Sequence, residues 1–357
     1  MTEELHLREY TKALKSLLPR KYFEPVASRL WYLPIFIGLT LLASWGIVHL
    51  YPWWAKLLLS LPIGYAFIGL GFFAHEVLHG AVTKNPLLRS VVGTIAFFPL
   101  CIGARLWRRW HNVEHHGSTQ HPDDDPDAMS TLEAMRERPE LQVFHRLIPW
   151  FRSFLLFFSF TFWFTFHGQM MLKRFLPEFK GKERAVVLFQ AVLPFAFWAA
   201  LAFGVGAWNF VFIFVLPWSM ANIVAMSYIA TNHLLNPLTA TNDPLMNSLT
   251  VRSPRLVEWL HLGFGYHTEH HVFPTISPRY ARKVGELLKK MWPERYNELP
   301  HWRALYYLWK TPRLYRDHRN LIELTSGRVF GTMGFGLPER VLGPSPRPFG
   351  KKKTATK

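Results

Sequence analysis

Eight histidines fall in three short clusters: HEVLH at 75–79, HNVEHH at 111–116 and HTEHH at 267–271. Side chains three or four positions apart share one face of a helix, so His75 with His79, His111 with His115 and His116, and His267 with His270 and His271 can each point one way. Neutral imidazole suits iron, copper, nickel and zinc, whereas magnesium and calcium take oxygen ligands. One ion takes roughly four to six ligands, so eight imidazoles are about right for two ions. A lone HxxxH is commonly coincidence and a single structural zinc would leave half of these residues unexplained. Three clusters in order, each beside an apolar segment, point to a two-metal, redox-capable centre next to helices that can hold a hydrocarbon.

Those helices must come from an unusually apolar chain. Of 357 residues 50% are hydrophobic and 16% aromatic, with a net charge of +17. The apolar fraction assigns that basic excess to anionic lipid and excludes a nucleic-acid partner. Runs at 31–50, 55–73, 185–204 and 209–230 approach the roughly 20 apolar residues that cross a bilayer. The run at 90–104 is too short and reads as a re-entrant helix. The run at 150–166 reads as interfacial, because crossing there would place the loop at 171–184 outside. That loop carries Lys173, Arg174, Lys180, Lys182 and Arg184 against Glu178 and Glu183, a cytosolic signature. The expected architecture is an all-α, multi-pass membrane protein: four transmembrane helices, interfacial or re-entrant helices, and a cytosolic helical cap bearing the histidines. Both termini and the site face the cytosol. The expected divisions are a cytosolic segment 1–30, a membrane domain 31–342 and a basic, disordered tail 343–357.

Cys101 is the one cysteine, which excludes an internal disulfide, a thiolate zinc site and an iron–sulfur cluster of the chain's own. His6, His49, His145, His167, His261, His301 and His318 are expected to be surface, interface or packing residues, and His121 a loop residue. RLWRRW at 105–110 reads as an interfacial Arg/Trp anchor, with the holding of an acyl donor's phosphate as the alternative.

The three clusters, in this order and spacing, resemble the histidine boxes of the membrane fatty acid desaturase superfamily over roughly residues 35–280. The resemblance implies two irons that activate O2 and remove two hydrogens from an acyl chain. Carried over residue by residue, the ligands are His75, His79, His111, His115, His116, His267, His270 and His271. A further histidine before the third box is a ligand in related enzymes, and TNHLLNP offers His233. Asp125 and Asp127 match the family's acidic residues near the second box and would orient imidazole N–H groups; turn and capping roles are the alternative. Front-end members carry Gln at the start of the third box and a fused cytochrome b5 with an HPGG motif. Here His267 stands at that position and HPGG is missing, so the resemblance narrows to an acyl-lipid or acyl-CoA desaturase. Electrons would come from a separate ferredoxin, rubredoxin or cytochrome b5.

Two other readings compete. The same centre can insert oxygen, as a hydroxylase or ketolase of a lipid, sterol or carotenoid, and residue spacing does not separate these outcomes. A metal transporter would need polar or carboxylate groups inside the crossings, and the four runs contain no Asp or Glu.

Overall fold

Helix length sets the architecture. The run expected at 55–73 continues as one helix, Trp53–Leu78, about 39 Å long at 1.5 Å per residue. Standing upright, it is longer than a hydrocarbon layer of about 30 Å, and its last turn carries His75. The last span behaves alike. Ala207–His233 is a continuous 27-residue helix, wound more loosely over Val211–Val215, and it ends on His233. With Tyr32–His49 and Gly181–Val205, these make four helices long and apolar enough to cross a bilayer. The computed structural model describes residues 3–337 and the backbone of 341–342; the tail expected at 343–357 lies outside the described residues.

The second span is central. A Cβ on its Gly69 would lie 2.3 Å from the Phe36 ring of the first span, and one on Gly64 would lie 2.8 Å from Met220 of the fourth. Small residues let helices approach this closely where no hydrophobic effect drives them together. The third span is peripheral, with Phe189, Val192, Phe195 and Phe203 exposed, as lipid contact requires.

Two apolar segments bend instead of crossing straight through. Pro86–Leu100 and Ala104–His115 meet at 101°, in keeping with the re-entrant reading. Asn85 caps the first limb, its Oδ1 accepting from the Leu87 and Leu88 amides at 2.9 and 3.1 Å. Pro99 and the left-handed Cys101 (φ 56°) end it. Carbonyls freed at such a turn are costly without water, so side chains must satisfy them. Thr165 Oγ1 donates to Leu100 O at 2.8 Å and Gln169 Nε2 to Cys101 O at 3.0 Å. Both donors sit on the second bent pair, Pro149–Ser159 and Trp163–Glu178, which turns by 77°. The run at 150–166, expected to be interfacial, is two helices broken near Phe160–Phe162.

The remaining chain packs over one end of the spans. The amino-terminal helix Leu7–Lys15 buries Tyr10 and Leu14. It is fastened by Tyr10 Oη donating to Asp243 Oδ1 at 2.9 Å and by Arg295 Nε donating to Tyr10 Oη at 3.0 Å. This cap is not purely helical. Strands β1 (Thr250–Arg252) and β2 (Glu298–Pro300) pair in parallel. Strands β3 (Tyr315–Asp317), β4 (Asn320–Ile322), β5 (Val329–Gly331) and β6 (Val341–Leu342) form an antiparallel meander. Strands of two or three residues are too short to show a period-two pattern, which is why the sequence does not announce them.

Candidate metal centre

Four elements bring the histidines together. His75 and His79 stand at the end of the second span, and His233 closes the fourth. His267, His270 and His271 lie on the short helix His267–Val272. His111, His115 and His116 lie on or just past the second limb of the first bent pair, which is π-helical over Arg108–His115. The wider π turn suits positions i, i+4 and i+5, because its hydrogen bonds run i to i+5.

The nine rings gather into two groups. Ligand-capable nitrogens of His75, His79, His111, His116 and His270 all lie within 4.8 Å of one another, and so do those of His115, His233 and His271. His267 joins the second group, its Nε2 being 2.7 Å from His233 Nε2 and 3.2 Å from His271 Nε2. His116 and His271 stack at 4.3 Å between centroids and link the groups.

This donor set fits metal cations. The Nε2 atoms of His75, His111, His116 and His270 form a chain with steps of 3.2, 3.2 and 3.1 Å. A ring nitrogen is either a donor or an acceptor, so the middle atoms cannot satisfy both neighbours by hydrogen bonding; a cation between them satisfies all. His79 Nε2 is buried and has no hydrogen-bond partner. Burial first, and neighbouring imidazoles second, hold His267, His270 and His271 well below the usual histidine range. They are therefore neutral, the form that binds metal.

The backing of these rings comes from the acidic segment. His115 Nδ1 lies 3.0 Å from Asp125 Oδ1, and Asp125 is held by the Gln120 and Asp127 amides. Asp127 is 3.5 Å from His115 Nδ1. Its shorter bonds are from Trp110 Nε1 at 2.9 Å and with His167 Nε2 at 2.7 Å. His167, expected to be a bystander, is thus one step from the cluster; nothing in its sequence context signals this. Thr119 Oγ1 on His271 Nδ1 at 3.2 Å and Asn247 O on His233 Nδ1 at 3.2 Å are equally silent in sequence. The anchor reading of RLWRRW is corrected: Trp107 and Trp110 are buried, and Trp107 stacks on His111 at 4.3 Å. Arg105 pairs with Glu183, and Arg109 with Glu114 and Glu178. His261 stays outside both groups, 3.0 Å from Tyr228 Oη, and His121 is a loop residue beside Asp124.

Against the rings lies a largely apolar cavity. His75, His111, His115, His233 and His267 form one end; Ile68 and Phe72 of the second span and Ala221, Ala225 and Ile229 of the fourth form its apolar walls. Ligand-capable nitrogens thus line one part of a largely apolar cavity.

A family model described as fatty acid desaturase matches residues 51–303. Among curated proteins, the chain is 26% identical over 322 residues to the sn-1 oleoyl-lipid 12-desaturase of Synechocystis sp., covering 85% of this chain and 87% of the relative. It is 24% identical to the chloroplastic omega-6 fatty acid desaturase of Spinacia oleracea, over 91% and 74% of the two chains. With the sn-1 linoleoyl-lipid 6-desaturase of Arthrospira platensis it shares 23% identity over 80% and 85%. The chain belongs to the fatty acid desaturase family: it is a multi-pass membrane oxidoreductase with a histidine cluster able to bind metal.

Proposed function

We propose that this protein is a di-iron desaturase that introduces a double bond into an acyl chain of a membrane lipid. The observation that carries the reading is the apolar cavity ending on five of the clustered histidines. The relatives are named for oleoyl-lipid and linoleoyl-lipid substrates, which favours an acyl lipid over acyl-CoA. His75, His79, His111, His116 and His270 would hold one iron, and His115, His233, His267 and His271 the other. When bound, iron supplies the redox chemistry that couples O2 reduction to C–H cleavage. The balance is two hydrogens from the chain, two electrons from a separate donor of the ferredoxin, rubredoxin or cytochrome b5 kind, two protons, and O2 leaving as two waters.

The protein's own residues position and exclude. Ile68, Phe72, Ala221 and Ala225 hold the alkyl chain, Trp107 and Phe264 wall the slot beside His75 and His111, and Asp125 fixes the His115 ring. The basic loop at 171–184 favours the cytosolic face for the site, within reach of a soluble acidic donor.

Expression in a host of known lipid profile tests the reading. A C18 chain two hydrogens lighter, with about two irons per purified chain, is the expected result. Oxygenated lipids with unchanged unsaturation would identify a hydroxylase or ketolase. One tightly held zinc in active protein would sink the redox reading. Cysteines placed at the exposed Lys182 and Ala240 should be labelled from the cytosolic side alone.

A further inference from the structure

Beside the histidine-lined cavity lies a second, larger chamber. Met129, Trp163, Met226 and Leu234 line both, so the two spaces meet at a neck made of these four side chains. The helix Pro149–Ser159 is one wall. Arg152, Leu156 and Ser159 face the chamber, while Trp150, Phe154 and Phe158 are exposed. A helix with such an aromatic outer side lies at the boundary between headgroups and acyl chains, the depth at which the ester groups of glycerolipids sit.

The chamber is largely apolar, and its charges are unequal. Arg152 is neutralised by Glu323, with Nη1 2.8 Å from Oε1. Arg313 is 5% exposed and donates to the Leu234 carbonyl and the Thr311 hydroxyl, both uncharged. Its Nε has no partner, and among the described residues no carboxylate pairs with it. His145, also on the chamber wall, adds no second positive charge there: burial first, then the Arg152 charge, lower its pKa to about 4. A buried cation without a counter-charge is costly unless a ligand brings oxygen atoms to it.

We propose that this second chamber holds the oxygen-bearing end of the acyl substrate, with its carbonyl oxygen on Arg313 and its hydrocarbon threaded through the neck to the histidines. The inference rests on the desaturase reading and adds to it the site that sets where the double bond falls. Arg313 is bound to the carbonyl of Leu234, the residue after His233. The carbonyl end and the metal end of the substrate would thereby be fixed to one backbone segment, which sets their separation. Shared chemistry leaves two sources, a glycerolipid ester and a free fatty acid carboxylate.

The full-length protein and its Arg313→Gln and Ser159→Trp variants, purified with their metal content measured, test this. The first removes the charge; the second fills the chamber from the opposite wall and keeps the test alive should the first fail to fold. Equilibrium binding of radiolabelled dioleoyl phosphatidylcholine and of oleate is measured first, followed by product regiochemistry. R313Q should weaken binding and raise KM about tenfold or more, the loss of one charge-assisted hydrogen bond, with wild-type metal content and scattered double-bond positions. S159W should block binding while keeping its metal. Tighter binding of the phospholipid assigns the ester as the natural ligand; tighter binding of oleate assigns the carboxylate. If both variants fold, hold metal and keep wild-type KM and double-bond position, the proposal is overturned. It is equally overturned if R313Q is silent while S159W merely selects shorter chains, since the chamber then holds the methyl end. A wild-type protein that forms no double bond would instead count against the desaturase reading.

Discussion

The two histidine groups are built differently. In the group of five, hydrogen bonds from the rings run only to other rings of the group, and the support is packing: Trp107 against His75, His79 and His111. In the group of four, three rings are tied to other parts of the protein, His115 to Asp125, His233 to the Asn247 carbonyl and His271 to Thr119. The four are also buried, whereas of the five only His79 is. A ring fixed through its second nitrogen keeps its direction without an ion; a ring held by packing alone depends more on the ion it binds. The difference teaches that the second group is preorganised by the fold, and it predicts that an ion held by the first group is the more labile.

Ligand loss should have the largest effect. His270→Ala and His271→Ala each remove an imidazole from one group, and both should abolish product formation, with bound metal falling from about two to about one per chain. Should His271→Ala keep both ions, the second group is not a site. His233→Ala should behave like His271→Ala, because its Nε2 faces His267, whereas His261→Ala should keep most activity. Full activity and metal in His233→Ala would remove it from the ligand set.

Chelation sharpens the comparison next. Treating the purified protein with a chelator should release its metal in two phases, the faster belonging to the group of five. Asp125→Asn should weaken the slower ion by about 10- to 100-fold and merge the phases. A single phase in the wild type would show that the anchoring has no kinetic consequence. The smallest effect is expected for Thr119→Val, which removes one neutral hydrogen bond, about 1 kcal/mol or a few-fold in metal retention. A loss as large as that of His271→Ala would mean that Thr119 does more than orient the ring.

Much of this was open to sequence reading because histidine is rare in apolar surroundings and its helical spacing is strict. Clusters at 75–79, 111–116 and 267–271, together with His233, identify the nine rings that meet. The runs at 31–50, 55–73, 185–204 and 209–230 correspond to the four long helices, since about 20 apolar residues carry the bilayer's signature in their composition alone. The short run at 90–104 is legible as a turn-back for the same reason.

Partition and support were not legible. That His116 sides with His75 while its neighbour His115 sides with His233 depends on a π-helical turn and on helix packing, and no spacing rule fixes either. The ties from Asn247, Thr119 and His167 join residues that lie 14 to 152 positions apart from their partners. Lone polar residues carry no periodic signal, so only the folded chain shows which of them meet. The buried Arg313 is alike: in sequence it is one cation among 41 Lys and Arg. Composition and periodicity act locally and fixed the spans and the clusters; the direction of each ring, the shape of the cavity and the charge left unpaired are properties of long-range contact, which tertiary packing alone decides.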